Sequence, residues 1–195
     1  MIRYNSGPVS NHGLLDMIVL EGASALSPFR RERLEARLQS VAATVRIAGA
    51  WHIYFIRNED GASADLATLG RILQAGDAPA DRADGVVSRY VVPRLGTLSP
   101  WSSKATELVR GSGQGIARVE RGTRIDLEGW PQDAAQQAAL AKLLHDPMTQ
   151  SLLEQTAQAQ ALFDALPRGA VERVALDDLE GANQRLGLAM AQDEI

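Results

Sequence analysis

Five hydroxyl side chains, a tryptophan and a lysine crowd into ten residues, Thr97 to Thr106, of the stretch PRLGTLSPWSSKATELVRGSG at residues 93–113. A helix start needs one hydroxyl to accept from an orphan backbone N–H and tolerates proline in its first turn. Ser99 and Pro100 meet both needs, which leaves Thr97, Ser102, Ser103, Lys104 and Thr106 surplus to folding on this reading. Hydroxyls and a cation at a helix N-terminus suit a phosphate or the backbone of a partner domain, because the helix end supplies oriented N–H donors. A Ser-x-x-Lys acyl-transfer dyad is excluded, since Trp101 stands three residues before Lys104. Gly111 to Gly115 (GSGQG) follows a helix instead of a strand, so it reads as helix-ending glycines and not as a phosphate cradle.

Other reactive side chains do not converge. His12, His52 and His145 lie at no metal-ligand spacing from one another and near no serine nucleophile. His52 reads as a satisfied strand histidine and His145 as a helix C-terminal one. Asp177, Asp178 and Glu180 fall at a helix start, and the chain has no cysteine. The expectation is a segment with no catalytic residue and no metal or cofactor site of its own.

The elements that position these residues follow from periodicity and punctuation. MIVLEG at Met17 to Gly22 reads as a strand, and Ser27-Pro28 opens a helix carrying Phe29, Leu34, Leu38 and Val41 on one face. AGAWHIYFIR reads as a strand ending near Arg57; Leu66, Leu69, Ile72 and Leu73 mark a second helix, with Gly76 placed to end it. GVVSRYVVP is a third strand that leads into the hydroxyl-rich helix. GIARVERGTRIDLEG reads as a bent strand or hairpin around Gly122, and PQDAAQQAALAKLLHDP as a helix closed by Pro147. Residues 1–16 are polar and read as a disordered extension.

Two independent segments repeat. ALSPFRRERLEARL at Ala25 matches TLSPWSSKATELVR 72 residues on, and LGRILQAG at Leu69 matches LAKLLHDP 71 residues on. The shared spacing predicts a duplicated α+β domain over residues 17–146, two strand-helix-strand-helix halves with their helices on a mainly antiparallel sheet. Residues 147–195, rich in Gln and Ala and broken at Pro167 and Gly169, read as a small all-α linker region, and the ending at Ile195 reads as a chain cut short. A hydrophobic content of 45% fills a core, while a net charge of −4 with scattered arginines argues against nucleic acid or an anionic membrane as partner. Without cysteine, a spanning segment or a signal, the expected compartment is the cytoplasm.

Residues 93–122 closely resemble the N-terminal region of the large, single-chain phosphoribosylformylglycinamidine synthases, glutamine-dependent enzymes of purine biosynthesis. Pro93, Gly96, Thr97, Ser99 to Thr106, Glu120, Arg121 and Gly122 match that family's pattern, LEGASALSPFR echoes another of its segments, and Leu144, His145 and Asp146 match its Leu-His-Asp. The likeness runs from Met17 to Ile195, where ANQRLGLAMAQDEI resembles the end of the family's linker domain. Glu21, where the family has arginine, and Arg94-Leu95-Gly96 are departures. The resemblance implies a duplicated, non-catalytic N-terminal domain whose partners are the synthetase and glutaminase domains of the same enzyme. It places ATP and magnesium in the synthetase domain and ammonia release in the glutaminase domain, so this segment is expected to hydrolyse neither glutamine nor ATP. It also implies that Thr97, Ser99, Pro100, Trp101, Ser102, Ser103, Lys104 and Thr106 form an interdomain docking or substrate-side loop, with Trp101 either an interdomain anchor or a core residue. A stand-alone adaptor domain with the same tryptophan knob is the alternative.

Overall fold

The computed structural model describes residues 17–77, 84–164, 174, 178–192 and 194. The extension expected at 1–16 lies outside them. Two serine-proline starts operate as the sequence indicates: Ser27 Oγ accepts from the Arg30 N–H at 3.4 Å and Ser99 Oγ from the Ser102 N–H at 3.0 Å. They open α1 (Pro28–Gln39) and α3 (Pro100–Gly111). Asp65 and Asp133 cap α2 (Leu66–Leu73) and α4 (Ala134–Leu144) in the same manner. Gln74, not Gly76, ends α2; it adopts a left-handed conformation (φ 52°) and its N–H reaches the Gly70 carbonyl.

Strands β1 (Met17–Ser24), β2 (Arg46–Asn58), β3 (Gly76–Asp77), β4 (Val87–Pro93), β5 (Ile116–Glu128) and β6 (Gln150–Leu153) form one antiparallel sheet in the order β3-β1-β2-β5-β4-β6. Matching each element of the first half to its counterpart in the second makes this order the same from either edge. β2 and β5 are the counterparts that meet at the centre. Each carries one extra residue relative to the other, Ala48 in β2 and Ala117 in β5, at corresponding ends of their pairing. Ile53 lies opposite Gly122 midway between these two extra residues, so an approximate twofold axis normal to the sheet passes near that pair. The α+β architecture and the duplication read from the sequence are therefore both present.

Of the bent strand or hairpin expected around Gly122, the segment forms a single 13-residue strand and no hairpin. Gly122 serves a close approach: a Cβ there would lie 2.8 Å from the Val91 carbonyl oxygen of β4.

All four helices lie on one sheet face. Leu38 of α1 and Leu140 and Leu144 of α4 pack with Ile47, Ala50, Ile125 and Leu127; Leu69 and Leu73 of α2 and Ala105 and Val109 of α3 pack with Tyr54, Ile56, Ile116 and Val119. These two clusters exchange places under the pseudo-twofold. Phe29 breaks the correspondence with Trp101, being 69% exposed.

The sequence puts the domain end at 146, with an all-helical linker from 147. Residues 150–153 instead form β6, paired with β4, and the 3-10 helix Thr156–Leu162 sets Ala159, Leu162 and Phe163 against Ile53, Phe55 and Tyr90 on the face opposite the helices. The first compact unit thus runs to Asp164 and a second begins at Ala165. A four-residue strand in a Gln-rich stretch leaves too short an alternation to be read. Among the described residues of the second unit, α5 (Leu179–Leu186) is closed by Gly187 at φ 62°, and Asn183 bridges to the Met190 backbone.

Leu69 and Leu140, matched by the repeat, are both fully buried. Replacing either by alanine should destabilise the chain by a comparable ~2–5 kcal/mol in urea unfolding; a large cost at one position and none at the other would contradict their equivalence.

Candidate functional site

The hydroxyl-rich helix start sits beside a length of β5 that is paired with β2 on one side and has no strand on the other. β4 pairs with β5 only as far as Val91 opposite Thr123, so residues 116–122 overhang. The backbone groups on that overhang must find partners elsewhere. Helix α3 provides them: Ser102 Oγ donates to the Val119 carbonyl at 2.6 Å, and Thr106 Oγ1 accepts from the Val119 N–H at 2.9 Å. One turn on, Arg110 donates to the carbonyls of Ile116 and Ala117 at 2.7 and 2.9 Å. Ser102 and Thr106 are buried, and the reading of them as surplus to folding is corrected: they stitch α3 to the sheet. Spacing alone does not show which strand lies beneath a helix, so their bonds were invisible in the sequence.

Thr97 also has a local task. Its hydroxyl donates to the Arg94 carbonyl at 2.6 Å, and its own carbonyl accepts from Arg118 at 2.6 Å. Ser99, besides capping α3, donates to Glu120 at 2.8 Å. Glu120 is fully buried and ion-paired with Arg118 at 2.5 Å, so the loop entering α3 is pinned to a buried charge pair. Glu120 and Arg118 are structural residues that sequence reasoning passed over; a carboxylate two positions from an arginine on one strand face was the available signal.

The remaining site residues divide by exposure. Pro100 and Ser103 are exposed; the Lys104 side chain is 87% exposed and lies 3.8 Å from Glu107, an ion pair of little energetic weight. Trp101 packs against Tyr54 with ring centroids 5.9 Å apart, and the Arg121 guanidinium lies 4.7 Å from its ring centroid. Trp101 is therefore joined, partly buried, to the apolar cluster beneath α2 and α3.

Glu21, the departure from the resembling family's arginine, has a local partner. Arg124 binds it at 2.7 Å and binds Asp126 at 2.5 Å, and Ser88 donates to Asp126. Burial lifts the Glu21 carboxyl above its usual value, with Arg124 opposing. This cluster lies on the face opposite the four helices, two residues along β5 from Gly122.

His52 was expected to be satisfied, yet its buried Nδ1 has no hydrogen-bond partner among the described residues. Burial, and then the charge of Arg121, lower its pKa, with the Gly122 backbone opposing. His145 fits its expectation, with Nδ1 2.7 Å from the Ala141 carbonyl at the end of α4. Among the described residues, no three His, Cys, Asp or Glu side chains could hold a metal ion, and no helix is long and apolar enough to cross a membrane.

A duplicated antiparallel α+β unit with its second helix stitched to an overhanging strand is the class of domain defined here. Residues 51–163, more than half of the chain, match the family model described as formylglycinamide ribonucleotide amidotransferase N-terminal. The chain belongs to this family, the N-terminal domains of an amidotransferase of purine biosynthesis, and the resemblance read from Pro93 to Gly122 is confirmed. The match begins inside β2 and ends one residue before the compact unit does.

Two outcomes test the geometry. Ser102→Ala should cost about 1–3 kcal/mol by stranding the buried Val119 carbonyl, whereas Lys104→Ala should stay within about 0.5 kcal/mol; equal melting temperatures would refute the difference. The folded pKa of His52 lies below its unfolded value near 6.5, so the unfolded chain binds more protons in that interval. The stability His52 contributes is whole above about pH 6.5 and declines as the pH falls below it. Urea unfolding of wild type and His52→Gln between pH 7.5 and 5 should show a shallower acid loss in the variant, and parallel profiles would rule this out.

Proposed function

We propose that this chain is the non-catalytic N-terminal domain and linker of phosphoribosylformylglycinamidine synthase, the enzyme that converts formylglycinamide ribonucleotide, glutamine and ATP to formylglycinamidine ribonucleotide in de novo purine synthesis in the cytoplasm. In this reading it docks on the synthetase domain and helps to assemble the active site and the ammonia path. ATP and magnesium belong to the synthetase domain, and glutamine hydrolysis to the glutaminase domain.

The observation that carries the docking role is the division of the helix start. Ser99, Ser102 and Thr106 turn inward, while α3 and its entry loop leave Ser103, Lys104 and Glu107 exposed beside Leu98 and Leu108, which are 59% and 65% exposed. Between α3 and the overhang of β5 runs a groove of about 520 Å3 reached by Leu98, Ser103, Glu107, Arg110 and Arg118. Apolar side chains flanking a cation, next to a groove, make a surface suited to a neighbouring domain. Thr97 and Pro100 border it. Trp101, on the same helix, is anchored on Tyr54.

In the full-length enzyme, Lys104→Ala and Leu108→Asp should lower synthetase turnover about tenfold with ammonia as nitrogen donor, equivalent to about 1.4 kcal/mol, while the 195-residue chain melts as before. Supplying ammonia removes the glutaminase from the comparison. Wild-type turnover in both variants with either nitrogen source would refute docking through α3 and leave the stand-alone adaptor reading.

A further inference from the structure

The geometry points to an anion-binding site in the polar cleft over the pseudo-twofold axis, formed by Arg121, His52 and Thr123 and taking a carboxylate or phosphate group. It goes beyond the docking role and uses different side chains. On the helix-bearing face the two apolar clusters are separate, one under α1 and α4 and the other under α2 and α3. On that face the pairs flanking Ile53–Gly122 are His52–Thr123 and Tyr54–Arg121, so imidazole, hydroxyl and guanidinium gather at the axis. The cleft above them, about 320 Å3, is bounded by Pro93, by Ser99 at the start of α3 and by Gln150 of β6. That is near the small end of ligand pockets, which suits an acidic side chain or a small free anion.

Three arginines stand on β5, and they differ in their partners. Arg118 pairs with Glu120 at 2.5 Å, and Arg124 with Asp126 at 2.5 Å and Glu21 at 2.7 Å. Arg121 lies midway between them, is half-buried, and forms no ion pair with any described carboxylate. Trp101 holds its guanidinium from one side and leaves its N–H fork without a carboxylate, the group that fork fits best. His52 presents beside that cation a buried Nδ1 with no partner among the described residues, and an unpaired buried nitrogen is a cost that a ligand would remove.

The other groups facing the cleft do not supply the missing charge. Ser99 is occupied by the Ser102 N–H and Glu120. Thr149 donates its hydroxyl to Asp146, and Gln150 Oε1 accepts from the Asp146 N–H. An anion beside His52 favours the imidazolium, so binding takes up a proton and strengthens as the pH falls through the histidine range.

The test follows the His52 imidazole resonances of the 195-residue chain by NMR during titration with inorganic phosphate and, separately, glutarate at constant ionic strength. A saturable shift of His52 with His145 unmoved, tighter at pH 6 than at pH 8, is expected. Arg121→Gln should weaken it about tenfold or more, as loss of a charged hydrogen bond implies, with Arg121→Lys intermediate and Thr123→Val weaker than wild type. Melting curves identify any variant that fails to fold; the remaining variants then decide. A response to phosphate alone identifies a free phosphate group as ligand, and one to glutarate alone an acidic side chain. No saturable His52 shift with either anion, or an unchanged shift in the folded variants, overturns the site. Loss of the site would leave the α3 docking reading standing, because that rests on Lys104 and Leu108.

Discussion

The attachment of the helices in this domain is governed by the mismatch between its long central strands and their shorter neighbours. β2 and β5 have 13 residues each, whereas β1 and β4 have 8 and 7. A strand that outruns its neighbour leaves backbone donors and acceptors facing a void, and burying them unpaired is expensive. The halves answer differently. In the first, the Ala25 N–H reaches the Ala50 carbonyl and the Glu35 carboxylate accepts from the Ile47 N–H at 2.7 Å. In the second, two hydroxyls and an arginine of α3 do the same work.

This divergence explains why two copies of one ancestral pattern no longer look alike at the helix start. A carboxylate suffices where the flanking chain supplies a backbone partner. Where it does not, the helix needs a donor and an acceptor one turn apart, and Ser102 and Thr106 are that pair. The buried Arg118–Glu120 pair then fixes the loop before the helix, leaving the outward residues free of any part in holding the fold.

Much of this architecture was legible in the sequence. The serine-proline starts, the leucines of the second helix in each half and the spacing of the repeat gave the helices, the duplication and the α+β class. Gly113 at φ 83° near the end of α3 agrees with the reading of GSGQG. What stayed hidden depended on contacts distant along the chain. The hydroxyls of Ser102 and Thr106 bond to a residue 17 and 13 positions away, on an edge whose exposure is set by where a different strand stops. β6 is legible only once β4 is there to receive it. Phe29 and Trp101 occupy equivalent places in the repeat, yet only Trp101 finds an aromatic neighbour, Tyr54, so the shared motif could not tell their surroundings apart.

The palindromic sheet also governs how the molecule behaves in a crowd. Both outermost strands are brief, two residues in β3 and four in β6, so each rim offers a foreign strand only a few rungs on which to register. Further in, backbone groups on the overhangs of β2 and β5 are met by the Ala25 N–H and by Glu35, Ser102, Thr106 and Arg110 of the same molecule. A duplicated β fold would otherwise present two copies of any sticky edge. Duplication has instead set a brief strand at both rims, so neither gives a foreign chain a long, flat template.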